Sequence, residues 1–210
     1  MSAFTKVPER ALLIAAMLAA AVCVLVFPVR LTADAAEPSA GTASWSELQE
    51  ALKNAGPGGT VTLTADVAAE GSDTTLSITS GSVLTIDLNG HTIDRRAEEN
   101  GTADSAVITV LPNAVLTVKD SSPGASGRIT GGCSPDGGGI INVGTLIVEG
   151  GCITGNRSTD KGGGIGNYSL LVMSGGTVTA NSADKRGGGI YNGVKGRMTL
   201  AEDMCGSRNN

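Results

Sequence analysis

The sequence predicts an all-β fold in which the chain coils into a solenoid of stacked strands, with one short α-helix covering its start. Three observations predict this fold. The string Gly-Gly-Gly-Ile occurs at 137–140, 162–165 and 187–190, which is a fixed period of 25 residues. Glycine accounts for 31 of the 210 residues, about twice its usual share. Hydrophobic residues make up 40% of the chain but aromatic residues only 2%, so any core is aliphatic.

The same composition excludes three other classes of protein. The glycines are clustered and do not fall at every third position, which excludes collagen. The hydrophobic content is sufficient to bury a core, which argues against a disordered linker. The formal net charge of −5 and the few aromatic residues argue against a nucleic-acid partner, because that partner requires a basic face or stacking side chains.

The segment 1–35 is predicted to be a secretory signal peptide. Lys6 and Arg10 precede an apolar run over 11–27, and small residues of the A-x-A type end the segment. Cleavage there leaves 36–43 as a linker to the mature domain. An uncleaved membrane anchor is the alternative, because the apolar run has nearly the length that spans a bilayer. Both interpretations predict a secreted or cell-surface protein.

Three cysteines remain after the predicted cleavage, namely Cys133, Cys152 and Cys205. Their odd number and irregular spacing are not typical of a disulfide framework. There is no C-x-x-C pair or Cys/His cluster with the spacing of a zinc site. We therefore expect at least one thiol to be free or to pair between molecules.

Residues 44–56 are predicted to form the capping helix. Ser44 and Glu47 have the spacing of a capping box, in which each residue satisfies a backbone amide of the first turn. The Gly56-Pro57 pair is expected to end the helix. An apolar stripe along one face is expected to plug the open end of the β-structure, so we assign its tryptophan a structural role. The residues of this stripe are Trp45, Leu48, Leu52 and Ala55.

Residues 57–210 are predicted to form one solenoid domain of about six rungs. Each repeat contains three short β-prone runs separated by glycine-containing corners, so one rung has three strands. Side chains alternate inward and outward along a strand, and like residues on successive rungs build aliphatic columns. The last rung loses the pattern after Gly187, and we expect the chain to be truncated. The predicted columns are Leu84–Leu116–Leu146, Ile93–Ile129–Ile153, and Val107 or Ile108 followed by Ile140.

Two polar positions repeat as regularly as the apolar ones. Asn142, Asn167 and Asn192 lie 25 residues apart, and so do Asn156 and Asn181. In stacked parallel rungs, each amide side chain can donate to one neighbour and accept from the other, which forms a ladder that satisfies buried polar groups. The alternative is a row of ligand-binding amides.

The repeat resembles known β-solenoids. The unit Gly-Gly-Gly-Ile-x-Asn, followed by Leu-x-Val and Gly-Gly-x-Ile/Val-Thr-x-Asn, is similar to the repeats of secreted right-handed parallel β-helix proteins and to the Gly-Gly-x-Ile repeats of bacterial polymorphic outer-membrane proteins and adhesins. The stretch Leu-Thr-Ile-Asp-Leu-Asn-Gly-His-Thr-Ile at 84–93 resembles the opening of pectate-lyase-like domains. The resemblance covers about residues 44–210 and implies a right-handed parallel β-helix, a fold that hosts several functions.

The resemblance also implies which catalytic residues to look for, and none is found. His91 stands in Gly-His-Thr and not in the Gly-His-Gly of polygalacturonases, and Arg128-Ile129-Thr130 lacks the lysine of their Arg-Ile-Lys. The regular rungs carry no repeating pair of carboxylates for acid/base hydrolysis or calcium binding. We therefore assign no catalytic, cofactor-binding or metal-binding residue.

One irregular, charged segment is the candidate binding surface. The long corner at 94–104, with the nearby corner at 119–128 that carries Lys119 and Asp120, is expected to contact a sugar or a cation, because long loops on rigid scaffolds often carry function. Calcium is the cofactor that such a surface could hold. The alternative is an ordinary solvated insertion. The candidate residues are Asp94, Arg95, Arg96, Glu98, Glu99 and Asp104.

Two functions from different classes follow. The first is a secreted or cell-surface module with a structural or adhesin-like interaction role, whose partner is an extracellular glycan or a host or cell-surface protein. The second is a polysaccharide lyase or glycoside hydrolase, or a fragment of one, that acts on acidic polysaccharide. The absence of both catalytic motifs favours the first. The irregular last rung also predicts fraying of 195–210 or end-to-end self-association, because it exposes a strand edge.

Overall fold

The computed structural model of this chain describes residues 44–102 and 104–201. The predicted signal peptide, the linker and Cys205 lie outside these residues. The described part contains one helix and eighteen strands. In chain order they are α1 (Trp45–Asn54), β1 (Gly59–Thr62), β2 (Val67–Ala68), β3 (Leu76–Ile78), β4 (Val83–Asp87), β5 (Thr92–Asp94), β6 (Ile108–Val110), β7 (Val115–Lys119), β8 (Arg128–Thr130), β9 (Ile140–Asn142), β10 (Thr145–Val148), β11 (Cys152–Thr154), β12 (Arg157–Ser158), β13 (Ile165–Asn167), β14 (Leu170–Met173), β15 (Thr177–Thr179), β16 (Ser182–Ala183), β17 (Ile190–Asn192) and β18 (Arg197–Leu200).

The strands form three long parallel sheets that the chain visits in turn. The first sheet has the order β1-β4-β7-β10-β14-β18, the second β2-β5-β8-β11-β15 and the third β3-β6-β9-β13-β17. One strand in each sheet makes one rung, so the described residues contain five complete rungs and the first strand of a sixth. The fold is a parallel β-helix, as predicted. The prediction of three strands in each rung misses one element, however. In the last two complete rungs, β12 and β16 add a fourth short strand and pair with each other.

The predicted aliphatic columns are confirmed residue by residue. In the first sheet Leu84 pairs with Leu116, which pairs with Leu146. In the second sheet Ile129 pairs with both Ile93 and Ile153. All six side chains are buried. In the third sheet the partner of Ile140 is Ile108, which decides between the two predicted candidates. Because each rung buries its inward face against its neighbours, the core is continuous along the solenoid.

Helix α1 covers the start of the solenoid. Its Ser44 cap and Glu47 form the predicted capping box, with the Ser44 amide donating to the Glu47 carboxylate over 2.8 Å. The helix ends at Asn54, two residues before the end of the predicted range, because Ala55 already has an extended backbone (φ −64°, ψ 105°). The Trp45 side chain is buried, and its indole N–H donates to the Thr74 carbonyl over 2.8 Å, which confirms its structural role.

Both predicted asparagine ladders are present. The Asn142 amide donates to Asn167 Oδ1 over 2.7 Å, and the Asn167 amide donates to Asn192 Oδ1 over 2.6 Å. In the second ladder Asn156 donates to Asn181 Oδ1 over 3.0 Å. Asn142, Asn156 and Asn167 are buried, so these hydrogen bonds satisfy groups that have no access to water. The hydrogen bonding of these three buried side chains gives the ladders a structural role.

The later rungs are less covered than the earlier ones. The inward positions Met198 and Leu200 on β18 are 42% and 40% exposed, whereas the matching Leu171 and Met173 on β14 are buried. The expected fraying or self-association at this end stays a prediction. Among the residues that the structure describes, there is no helix with the length and hydrophobicity needed to cross a bilayer.

Candidate functional site

A cleft beside the predicted loop lies where the chain leaves the second sheet, and we call it the corner groove. It has a volume of about 500 Å³. One of its walls is the segment 94–99, and the rest comes from the corners that follow β8, β11 and β15. The lining residues are Asp94, Arg96, Ala97, Glu98, Glu99, Thr130, Gly131, Gly132, Gly155, Asn156, Arg157, Ala180 and Ser182.

The floor of the corner groove is built from the backbone of three successive rungs. The Gly131 amide donates to the Gly155 carbonyl over 3.4 Å, and the Gly155 amide donates to the Ala180 carbonyl over 3.1 Å. Gly131 has a φ of 74°, and a Cβ there would collide with the Asp94 carboxylate. Because Gly131, Gly155 and Ala180 carry no side chain longer than a methyl group, a trough runs over these three positions along the solenoid axis for about 10 Å.

The wall segment is held to the floor by backbone hydrogen bonds. The Arg95 amide donates to the Thr130 carbonyl over 2.9 Å, and the Ala97 amide donates to the Gly131 carbonyl over 2.8 Å. The Ala97 side chain is buried, whereas Glu98 and its neighbour Glu99 are exposed. The wall is therefore an ordered part of the corner.

The charges of the corner groove are only partly neutralised within the protein. Arg96 Nε lies 3.8 Å from the Asp94 carboxylate. Arg157 lies 2.9 Å from the Asp184 carboxylate, which raises the pKa of the guanidinium. Glu98 and Glu99 form no ion pair with any other residue that the structure describes. The groove consequently presents two unpaired carboxylates beside two engaged guanidinium groups.

The six predicted loop residues do not form one surface. Asp94, Arg96, Glu98 and Glu99 line the corner groove, but Arg95 is 1% exposed and points into the protein. Its guanidinium donates to Ser105 Oγ over 2.7 Å and to the Asp73 carbonyl over 2.6 Å, and it lies 5.5 Å from the centre of the Trp45 ring. Burial lowers the pKa of Arg95, and the charge of Asp73 opposes this. Arg95 therefore joins the capping helix to the loop.

Asp104 lies apart from the other carboxylates. It is exposed and lines a shallow depression together with Asp73, Thr102 and Ser105 on the Arg95 side of the loop. The expectation of a single charged patch fails because the backbone turns between Ala97 and Asp104, so the two ends of the loop face different surroundings.

Lys119 and Asp120 are not neighbours of the corner groove. They lie before β8, whereas the groove lies after it, and neither residue lines the groove. Asp120 accepts hydrogen bonds from the amides of Gly90 over 2.8 Å and Gly127 over 2.6 Å, and Lys119 lies 3.3 Å from the Asp87 carboxylate. These contacts fix the corner at 119–128, so it has a structural role.

Acid is expected to reduce the stability that the carboxylates of this corner contribute. Burial raises the pKa of Asp87 and of Asp120, but hydrogen bonds to each carboxylate outweigh this effect. The donors to Asp87 come from Ser121, and those to Asp120 come from Ser122 and Gly127, so both pKa values lie below their ordinary value. A carboxyl with a depressed folded-state pKa stabilises the fold above its unfolded pKa of about 3.9, and this stabilisation is lost as pH falls through the folded value. Urea unfolding below about pH 4 should show a falling free energy of unfolding, with a shallower fall in Asp120→Asn. An identical slope in that variant would contradict the assignment.

A second polar cluster could not be foreseen from the repeat. Tyr168 and Tyr191 lie with ring centres 6.0 Å apart, and Lys161 Nζ lies 5.4 Å from the Tyr191 ring. The Tyr168 hydroxyl donates to Asp136 over 2.9 Å, and burial together with this bond raises its pKa. Lys161 also lies 3.6 Å from Asp160. An ion pair between Lys161 and Asp136 and the hydrogen bond from Tyr168 to Asp136 thus connect successive rungs. The two tyrosines do not share the 25-residue spacing, so the repeat does not predict that they lie side by side.

The described residues offer little for metal or thiol chemistry. No three or more His, Cys, Asp and Glu side chains among them converge in an arrangement that could hold a metal ion. Cys133 and Cys152 are both free thiols, of which Cys133 is buried. The lining side chains of the corner groove supply hydrogen-bonding groups and charges.

Comparison with known proteins adds no relative. No family model, no curated protein and no solved structure matches this chain.

Proposed function

We propose that this chain is a secreted or cell-surface interaction module, adhesin-like in role, in which a rigid β-helix presents the corner groove to an extracellular partner. The observation that carries the proposal is the construction of the groove. Its floor is the hydrogen-bonded backbone of three rungs, and its wall is tied to that floor at Arg95 and Ala97. A groove whose shape is set by the scaffold binds a ligand with little loss of loop entropy.

The predicted export of the chain supports an extracellular partner. The segment 1–35 has the charge, length and small residues of a secretory signal. Of the four groove-lining charges of the wall, Asp94 and Arg96 pair with each other, whereas Glu98 and Glu99 pair with no other described residue and are available to a partner. The structural alternative, an inert stalk, would have no need of such a wall.

Binding and turnover can be measured on one sample. The mature chain, residues 36–210, is labelled and incubated with immobilised polysaccharides and with intact cells, while the supernatant is assayed for unsaturated or reducing sugar ends. We expect saturable binding without new ends. Release of such ends from polygalacturonate, lost in Glu98→Gln, would overturn the proposal in favour of an enzyme. Absence of binding to every surface would leave an inert stalk as the better description.

A further inference from the structure

The shape of the corner groove selects an extended ligand. The trough spans three rungs, about 10 Å along the axis, and its floor consists of Gly131, Gly155 and Ala180. None of its lining residues is aromatic, so a ligand cannot stack on a ring there. Recognition in this groove must therefore rest on polar contacts along a chain that lies in the trough.

The charges of the corner groove select the sign of the ligand. Both guanidinium groups already face carboxylates, Arg96 with Asp94 and Arg157 with Asp184. Glu98 and Glu99 remain unpaired among the described residues, and the net charge of the whole chain is −5. An anionic chain, such as a polyuronate, would be repelled by these carboxylates, whereas a cationic group would be attracted.

The backbone of the floor disfavours a peptide. A peptide that adds to a β-structure needs free amide and carbonyl groups along a strand edge. The floor groups at Gly131, Gly155 and Ala180 instead bond to one another along the axis. Asn156 is equally occupied, because it donates to Ile129, Thr154 and Asn181 and accepts from Gly132. The groups left for a ligand are the wall carboxylates, the hydroxyls of Thr130 and Ser182, and the guanidinium N–H groups of Arg96 and Arg157 that face no carboxylate. The three lining carboxylates, Asp94, Glu98 and Glu99, outnumber the two guanidinium groups.

Carboxylates and hydroxyls are suited to a ligand rich in hydroxyl and amino donors. We propose that the corner groove binds an extended polysaccharide that carries free amino groups, of the glucosamine type, with its ammonium groups facing Glu98 and Glu99. This inference rests on the proposed function and names its ligand class. This ligand differs from the acidic polysaccharide that would be the substrate if the chain were a polysaccharide lyase or glycoside hydrolase.

The experiment compares three sugar probes on the mature chain by isothermal titration calorimetry. Oligomers of glucosamine, of N-acetylglucosamine and of galacturonate have similar size but carry positive, zero and negative charge. We expect glucosamine oligomers to bind most tightly, and raising the salt from about 50 mM to 500 mM should weaken that binding because exposed charges are screened. Equal affinity for the N-acetylated oligomers, or tighter binding of galacturonate, would overturn the inference.

Two pairs of variants locate the binding. Ser182→Trp fills the trough from an exposed position on β16, and Ser174→Trp places the same ring on an exposed corner of the same rung outside the groove. We expect the first to abolish binding and the second to preserve it. Glu98→Gln with Glu99→Gln should weaken binding by about fivefold to tenfold, whereas the exposed Glu149→Gln should change it less than twofold.

The outcomes separate this inference from the proposed function. Binding of glucosamine oligomers that survives Ser182→Trp would place the ligand elsewhere and overturn the inference, although the chain would still be an interaction module. Failure of all three sugars to bind, with binding to intact cells retained, would also overturn the inference alone. Failure on both sugars and cells would overturn both. Far-ultraviolet circular dichroism of each variant checks that the β-structure is intact.

Discussion

Gly163→Ala is expected to lower the free energy of unfolding by about 3–5 kcal/mol, the largest stability loss that we predict for a single methyl group in this protein. Gly163 is buried at a corner of the solenoid, where its amide donates to the Gly187 carbonyl of the next rung over 3.1 Å. A Cβ at this position would run into the carbonyl oxygens of Ser182 and Gly188. Both obstacles are backbone atoms of one neighbouring rung, so no side-chain rotation relieves the collision.

The repeat supplies a matched control for this substitution. Gly188 occupies the same place in the next copy of Gly-Gly-Gly-Ile, but the nearest atom to a Cβ there is the Asn181 carbonyl oxygen at 3.3 Å. Gly188→Ala should therefore change the free energy of unfolding by less than about 1 kcal/mol. Urea denaturation of both variants, followed by circular dichroism, makes the comparison. Equal losses at the two positions would show that the later rungs are packed as tightly as the earlier ones.

Asn167→Asp is expected to cost about 3–5 kcal/mol at neutral pH. Asn167 is fully buried, and its amide nitrogen donates to Asn192 Oδ1 over 2.6 Å and to the Arg197 carbonyl over 3.0 Å. The same nitrogen also lies 3.4 Å from the Ser169 carbonyl, so the substitution replaces a donor by an acceptor and introduces a buried negative charge that faces three oxygen atoms. Only the hydrogen bond from Asn142 is retained.

The pH dependence of this loss tests its cause. Burial raises the folded-state pKa of the introduced carboxyl above its unfolded value of about 3.9, so the cost relative to wild type should shrink as pH falls toward 4. The control is Asn192→Asp, because Asn192 is exposed and its Oδ1 accepts the ladder bond. That variant keeps its acceptor and loses only the exposed hydrogen bond from the Asn192 amide to the Gly196 carbonyl, so it should lose no more than about 1 kcal/mol. A cost for Asn167→Asp that is constant with pH would argue against a buried charge.

The aliphatic columns and the asparagine ladders could be predicted because their residues recur at the same position of each rung. Leu84, Leu116 and Leu146 stand on successive rungs although their spacing changes, since the alternation within each strand keeps the same side chains inward. The asparagines share the rung period and therefore stack. The capping box depends on two residues three positions apart, which the sequence displays directly.

The corner at 94–104 could not be predicted to the same level. Arg95 and Arg96 are adjacent and chemically equal, yet one is buried against Trp45 and the other lines the corner groove. Their difference arises because backbone bonds to Thr130 and Gly131 set the direction of each side chain. Those partners lie on the next rung, far along the sequence, so a local sequence pattern does not predict which residues pair with the backbone of this corner.

By itself, the sequence determined the solenoid, the number of rungs, the capping helix and the two ladders, because each follows from a local alternation or from a spacing that stacking rungs must share. Only the tertiary structure decided which corner residues face a groove, that Gly163 is crowded whereas Gly188 is not, and that Tyr168 lies beside Tyr191. The physical reason is the same in each case. A repeat specifies what one rung contributes, but exposure and crowding depend on what the neighbouring rungs place against it.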